Sequence, residues 1–174
     1  MANTCQKAIV IADMPFESYD SSELALINAQ NLVNAGEDMV KIEGGEEHEE
    51  VFQVLSSNNI NICGHLGLQP QMVTDSSEYK IQGKDKNSAK LILNDALLLE
   101  SLGISALVLE CIPSALAKEV SSRLNIPTIG IGAGKDCDGQ VLVCYDMLGI
   151  TQGKLPRFVR NFVSSEGTIP LAIS

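Results

Sequence analysis

Short apolar runs alternate along the chain with segments whose apolar residues recur at helical spacing, and glycine or proline marks many of the junctions. Apolar runs this short read as strands, and strands that alternate with helices build a parallel sheet. The pattern predicts strands at 8–12 (AIVIA), 39–43 (MVKIE), 61–64, 106–110 (ALVLE), 128–131 and 140–144. The helices between them are predicted over 22–35, 46–56, 87–102 and 113–124. Asp20 with Glu23 resembles a capping box for the first helix, and Gly36 suits its end. Leu24, Ala25, Leu32 and Ala35 form the apolar stripe of that helix. In the third helix Leu91, Ile92, Ala96, Leu98, Leu99 and Leu102 share a broad face, with Leu93 and Leu97 outside it, as if for a second packed surface. Pro113 suits the first turn of the helix that buries Leu116, Ala117, Val120 and Leu124. The connection 66–86 is long enough to be a lid or binding loop. The tail from 153 onward, with Lys154, Arg157 and Arg160, reads as irregular with one short helix.

Strands followed in turn by helices are what a (β/α)8 barrel requires, but a doubly wound open sheet has the same rhythm. The glycines at 130–134 (GIGAG) resemble a dinucleotide fingerprint only loosely. Their spacing is wrong and no helix follows directly, so a tight turn explains them better. No change of composition divides the chain, which predicts one domain over 1–174.

Composition narrows the function. The formal net charge of −10 lacks the Lys/Arg footprint of a nucleic-acid or anionic-membrane surface. The five cysteines are odd in number and contain no CxxC spacing, which suggests reduced thiols in the cytoplasm. Neither His48 nor His65 is spaced with them like a zinc site. The start carries no signal-peptide pattern, and no apolar run approaches the roughly 20 residues of a membrane span. The acidic run at 46–50 suits a helix start and a solvated face.

The chemistry lies at the ends of the strands. Asp13, then Lys41 and Glu43, then His65, then Glu110 close successive apolar runs. In a parallel α/β fold the carboxyl ends of the strands all reach the face that carries the site. Asp13 and Glu43 are paired carboxylates suited to a hard cation such as Mg²⁺; a capping Asp and a Glu paired with Lys would look the same. Lys41 precedes Glu43 by two, on the same side of the strand, where it could grip a substrate carboxylate or simply pair with the Glu. Glu110 ends the run ALVL, and the desolvation this implies suits a general base, although a backbone-bonded Glu is the alternative. His65, in CGHLG, suits a substrate-orienting role or a structural one.

Together the runs IADMPF (11–16), NAGEDMVKIEGG (34–45), CGHLGLQPQ (63–71), YKIQGK (79–84), LVLECIP (107–113), IPTIGIGAG (126–134), DGQVLVCYDMLGI (138–150) and PRFVRNF (156–162) resemble the ketopantoate hydroxymethyltransferase family. The resemblance implies a (β/α)8 TIM barrel of the phosphoenolpyruvate/pyruvate type, assembled as a homo-oligomer, usually a decamer. It implies transfer of a one-carbon unit from 5,10-methylenetetrahydrofolate to 3-methyl-2-oxobutanoate, giving 2-dehydropantoate. On the family pattern Asp13 and Glu43 correspond to Mg²⁺ ligands, Asp13 and Lys41 meet the keto acid, Glu110 is the base and His65 is an active-site histidine.

The chain departs from that pattern at its start. Family members carry roughly 70–80 further residues there, as a barrel of about 250 residues leads one to expect. Those residues form two strands, the second ending in a VGDS-like motif with a further metal ligand. The expectation is therefore an incomplete barrel of about six strands, lacking the first two, with a bare edge at 8–12. A catalytically inactive remnant that serves assembly is the second reading.

Overall fold

The computed structural model describes residues 5, 7–73, 80–153 and 155–173. The loop stretch 74–79 and Lys154, both named above, lie outside the described residues. The chain forms two compact units, 1–139 and 140–174.

In the first unit, strands and helices alternate as β1 (Ile11–Asp13), α1 (Ser22–Asn34), β2 (Met39–Glu43), α2 (Glu49–Ser57), β3 (Ile62–Gly67), α3 (Lys86–Ser101), β4 (Ala106–Glu110), α4 (Ser114–Arg123) and β5 (Thr128–Ile131). A two-residue strand, β6 (Gly139–Gln140), follows. The sheet order is β1-β2-β3-β4-β5-β6, and the pairs from β1 to β5 are all parallel. Sequential parallel strands with helical crossovers make this an incomplete (β/α) barrel rather than a doubly wound sheet, whose strand order would reverse.

Side-chain alternation gives the sheet two different faces. Val40 and Ile42, Ile62 and Leu66, and Leu107 and Leu109 pack with Ala25, Ala29, Phe52, Leu55, Ala96, Leu99, Ala117 and Val120 from the helices. The alternate positions Met39, Cys63, Ala106, Val108 and Ile131 form a separate apolar cluster, with Ile11 and Ile129 against it. Burial on both faces explains why the strands read as continuous apolar runs.

Several expectations need correction. The first strand begins three residues later than the pattern 8–12 suggests. Its neighbour offers pairing only from Met39 onward, and Val10 is held by the turn before it, donating to Asp38 Oδ2 at 2.8 Å. Ser21, not Asp20, caps α1: it has the extended backbone a cap needs, and its Oγ accepts from Leu24 N at 3.3 Å. The buried positions of α1 are Ala25 and Ala29, while Leu24 and Ala35 are exposed. Small residues there let the helix lie close to the sheet. On α3, Ile92, Ala96, Leu99 and Leu102 face the core as expected, but Leu91 is 61% exposed and Leu93 packs against the core. The anchors Ala96 and Leu99 set the helix rotation that turns Leu91 outward.

The third strand runs on to Gly67, so His65 lies inside it rather than at its end. The strand expected at 140–144 shrinks to Gly139–Gln140, and Cys144 instead opens the short helix α5 (Cys144–Met147). The second unit holds α5, α6 (Phe162–Glu166) and α7 (Ile169–Ile173); the last two lie in the tail from 153, where one short helix was expected. No described helix is long and apolar enough to cross a membrane.

Phe52 is fully buried, so Phe52→Ala should cost about 3–5 kcal/mol through lost transfer energy and a residual cavity. Leu91→Ala should change stability by less than about 0.5 kcal/mol. Urea unfolding of both variants checks the helix rotation. Comparable losses at the two sites would contradict it.

Candidate active site

The parallel register sets the geometry. Asp13 stands opposite Lys41, Glu43 opposite His65, and Gly67 opposite Glu110. These positions have the same parity as Met39, Cys63, Ala106 and Val108, so the charged residues continue that face beyond its apolar part. Five residues singled out in the sequence thus share one rim of the sheet, in two contact groups.

The first group is an ion pair between β1 and β2. Lys41 Nζ lies 2.8 Å from Asp13 Oδ1, with Asp13 60% exposed and Lys41 18% exposed. Lys41 therefore takes Asp13 across the ladder rather than Glu43 along its own strand. An ion pair this open contributes little to stability, so its value lies in placing the two charges.

The second group is buried. Glu43, His65 and Glu110 are 5%, 1% and 8% exposed. His65 Nδ1 lies 3.6 Å from Glu43 Oε1, and His65 Nε2 lies 3.2 Å from Glu110 Oε2. Neither ring nitrogen achieves directed hydrogen-bond geometry. The row is thus a close electrostatic contact. Burial alone would lower the His65 pKa, but the carboxylates, Glu110 ahead of Glu43, more than offset it and raise the pKa above 6.5. Lys41 opposes them weakly.

The backbone around Glu110 is closely held. Gly67 has a φ of +99°, and a Cβ there would collide with the Glu110 carbonyl oxygen. That oxygen accepts from Leu68 N at 2.9 Å. Cys111, just beyond, has a φ of +50°, which is rare for a residue with a side chain, and its N–H donates to Ile131 O at 2.9 Å. Burial pushes the Cys111 thiol up to about 11, with Glu110 adding to the effect. Cys63 is also pushed up to about 11 by burial. Both thiols are protonated at neutral pH and poor nucleophiles, which leaves the carboxylates and the imidazole as the reactive groups.

Two residues of this rim escaped the sequence reading. Gln71 donates its backbone N–H to Glu43 Oε2 at 3.1 Å, and buried Tyr19 donates its hydroxyl to Gln71 Oε1 at 3.3 Å. A 3-10 turn spans Pro70–Met72, and no local pattern reveals that it folds back over β2. Among the described residues no group of three or more His, Cys, Asp and Glu is arranged to hold a metal ion. A cation here would depend on Asp13 and Glu43.

His65 binds its proton more tightly folded than unfolded, so its contribution to stability is complete below about pH 6.5 and is lost as pH rises through the folded pKa. The free energy of urea unfolding should therefore decline as pH rises above about 6.5. Glu110→Gln, which removes the nearer carboxylate, should flatten that decline. Stability that rises over this range would contradict the arrangement.

Comparison with known proteins finds relatives along the whole chain. The family model described as ketopantoate hydroxymethyltransferase matches residues 1–174. The 3-methyl-2-oxobutanoate hydroxymethyltransferase of Ruthia magnifica subsp. Calyptogena magnifica is 56% identical over 169 residues, covering 97% of this chain and 65% of that protein. The protein of the same name from Vesicomyosocius okutanii subsp. Calyptogena okutanii (strain HA) is 52% identical over 174 residues, covering 100% of this chain and 67% of that protein. The chain spans about two thirds of the length of these curated relatives. Among solved structures, a candidate phosphonomutase from Burkholderia cenocepacia J2315 aligns with a TM-score of 0.53 at 12% identity, covering 72% of this chain and 54% of that one. That likeness concerns the fold alone. By the match over its whole length and the identity of its relatives, the chain belongs to the ketopantoate hydroxymethyltransferase family.

Proposed function

We propose that this chain carries the proton-abstracting and keto-acid-binding part of a hydroxymethyltransferase site. The reaction joins 3-methyl-2-oxobutanoate, the methylene of 5,10-methylenetetrahydrofolate and water, and it yields 2-dehydropantoate and tetrahydrofolate. The supporting observation is the buried Glu43–His65–Glu110 row beside the Asp13–Lys41 pair. Packing alone gives no reason to bury two carboxylates around one imidazole.

Asp13 and Glu43 are hard oxygen donors at the ends of adjacent strands, and Asp13 is largely open to solvent. Such a pair fits Mg²⁺, which usually takes one or two carboxylates and completes its shell with water and substrate oxygens. When bound, Mg²⁺ would draw electron density from the ketone of a chelating keto acid and so acidify its C3–H.

The side chains supply the remaining chemistry. Lys41, held beside Asp13, offers a cation for the substrate carboxylate. Glu110 removes the proton from C3, and the electron pair of the broken C–H bond passes into the enolate. C3 then forms a bond to the folate-borne methylene carbon, both bonds of that carbon to folate nitrogen (N5 and N10) break, and water supplies its hydroxyl; the proton taken up by Glu110 and one from water pass to the two nitrogens. His65, between the two carboxylates, keeps Glu110 oriented and balances the negative charge of the row. Buried surroundings keep bulk water from competing for the proton. An intact acid–base row favours this reading over an inactive remnant. A cytoplasmic homo-oligomer is the accompanying expectation.

Exchange of the C3 proton of 3-methyl-2-oxobutanoate in D₂O with Mg²⁺ isolates the first step and can be followed by NMR. The purified chain should catalyse it, and Glu110→Gln should slow it by about 10²–10⁴-fold. Exchange no faster than buffer in the wild-type chain would reject the reading. Undiminished exchange in the variant would remove Glu110 from the base role.

A further inference from the structure

Gln71 is neither acid nor base, yet it joins three segments of the rim. Its backbone N–H donates to Glu43 Oε2 at 3.1 Å. Its side-chain Nε2 donates to the carbonyl of Met14, the residue after Asp13, at 3.0 Å. Its Oε1 accepts from the Tyr19 hydroxyl at 3.3 Å. The local sequence accounts for this pose. Pro70 opens the turn and has no N–H, so the Gln71 amide is the first donor the turn leaves free, and Glu43 provides the acceptor. Burial, with a smaller contribution from Glu43, raises the Tyr19 pKa and keeps its hydroxyl a donor.

A tie at this point has work to do. β1 is only three residues long, and among the described residues its strand partner is β2 alone. Besides the Asp13–Lys41 ion pair and the bond from Met14 N to Lys41 O at 3.0 Å, the placement of Asp13 relative to Glu43 rests on a few ladder bonds. The Gln71 side chain grips the backbone immediately after Asp13, while its own amide grips the Glu43 carboxylate. One residue thereby spans the two groups.

We propose that Gln71 is a positioning residue that sets the separation of the Asp13 and Glu43 carboxylates and so tunes their hold on a divalent cation. This rests on the reading of the two carboxylates as a cation-holding pair. Gln71→Ala keeps the amide bond to Glu43 but releases Met14 and Tyr19. Tyr19→Phe removes only the bond that orients the Gln71 side chain.

The test measures Mn²⁺ affinity of the purified chain by EPR, together with thermal melting. Gln71→Ala should bind Mn²⁺ about tenfold more weakly, the loss expected for one or two ordinary hydrogen bonds. Tyr19→Phe should show a smaller loss. A merely structural role would lower the melting temperature and leave the affinity of the folded protein unchanged, and that result would overturn the proposal. If the wild-type chain binds no Mn²⁺, the cation reading itself fails, and hydrogen exchange over 14–19 decides whether the tie exists. Faster exchange in Gln71→Ala would support the tie; unchanged exchange would overturn it.

Discussion

Two carboxylates buried on either side of one imidazole are the constraint on which the rest of this rim depends. Glu43 and Glu110 come from strands that are not neighbours, and β3 lies between them carrying His65. Burying either acid without a compensating charge would be costly, and the two carboxylates raise the His65 pKa, which favours the protonated ring that offsets them. The parallel register fixes who meets whom: Glu43 lies opposite His65, and Glu110 lies opposite Gly67, two residues further along β3. That offset brings Glu110 to one ring nitrogen and Glu43 to the other. It also brings the Glu110 carbonyl so near β3 that only glycine fits at 67.

The same sheet serves stability and chemistry by dividing them between faces and along strands. Residues on one face pack with the helices in a continuous apolar core. The other face is apolar from Met39 to Val108 and becomes charged toward the carboxyl ends. A rigid, well-packed layer behind the rim holds its ionisable groups in place, as a site on strand ends requires. Lys41 and Asp13 extend the charged region to β1, where burial is lower and solvent reaches the carboxylate.

Much of this was legible in the sequence because it is written locally. Apolar runs bounded by Gly36, Gly103 and Pro113 located the central strands and helices, and the bounds of 39–43, 106–110 and 128–131 agree with the structure. The edges were less legible: 8–12 and 140–144 have the apolar composition of strands but lack partners over their full length. Helix faces failed where a long apolar residue lay on the outside. Leu91 looks buried by type, yet the small residue Ala96 and the core residue Leu99 decide which side faces the sheet. At the site, strand-end position picked out Asp13, Lys41, Glu43, His65 and Glu110, because period-two alternation and parallel topology carry such residues to one rim. Gln71 and Tyr19 were not legible, since their roles arise from a loop crossing two strand ends, 28 residues in sequence from Glu43 in the case of Gln71 and 52 from Tyr19 to Gln71.

The most direct measurement is the protonation of the His65 ring, followed by ¹⁵N NMR of the purified chain across neutral pH. A ring held between two buried carboxylates should remain more than half doubly protonated at pH 6.5, with its titration midpoint above that value. A ring mostly neutral at pH 6.5, titrating below it as burial alone would dictate, would contradict the carboxylate–imidazolium–carboxylate row.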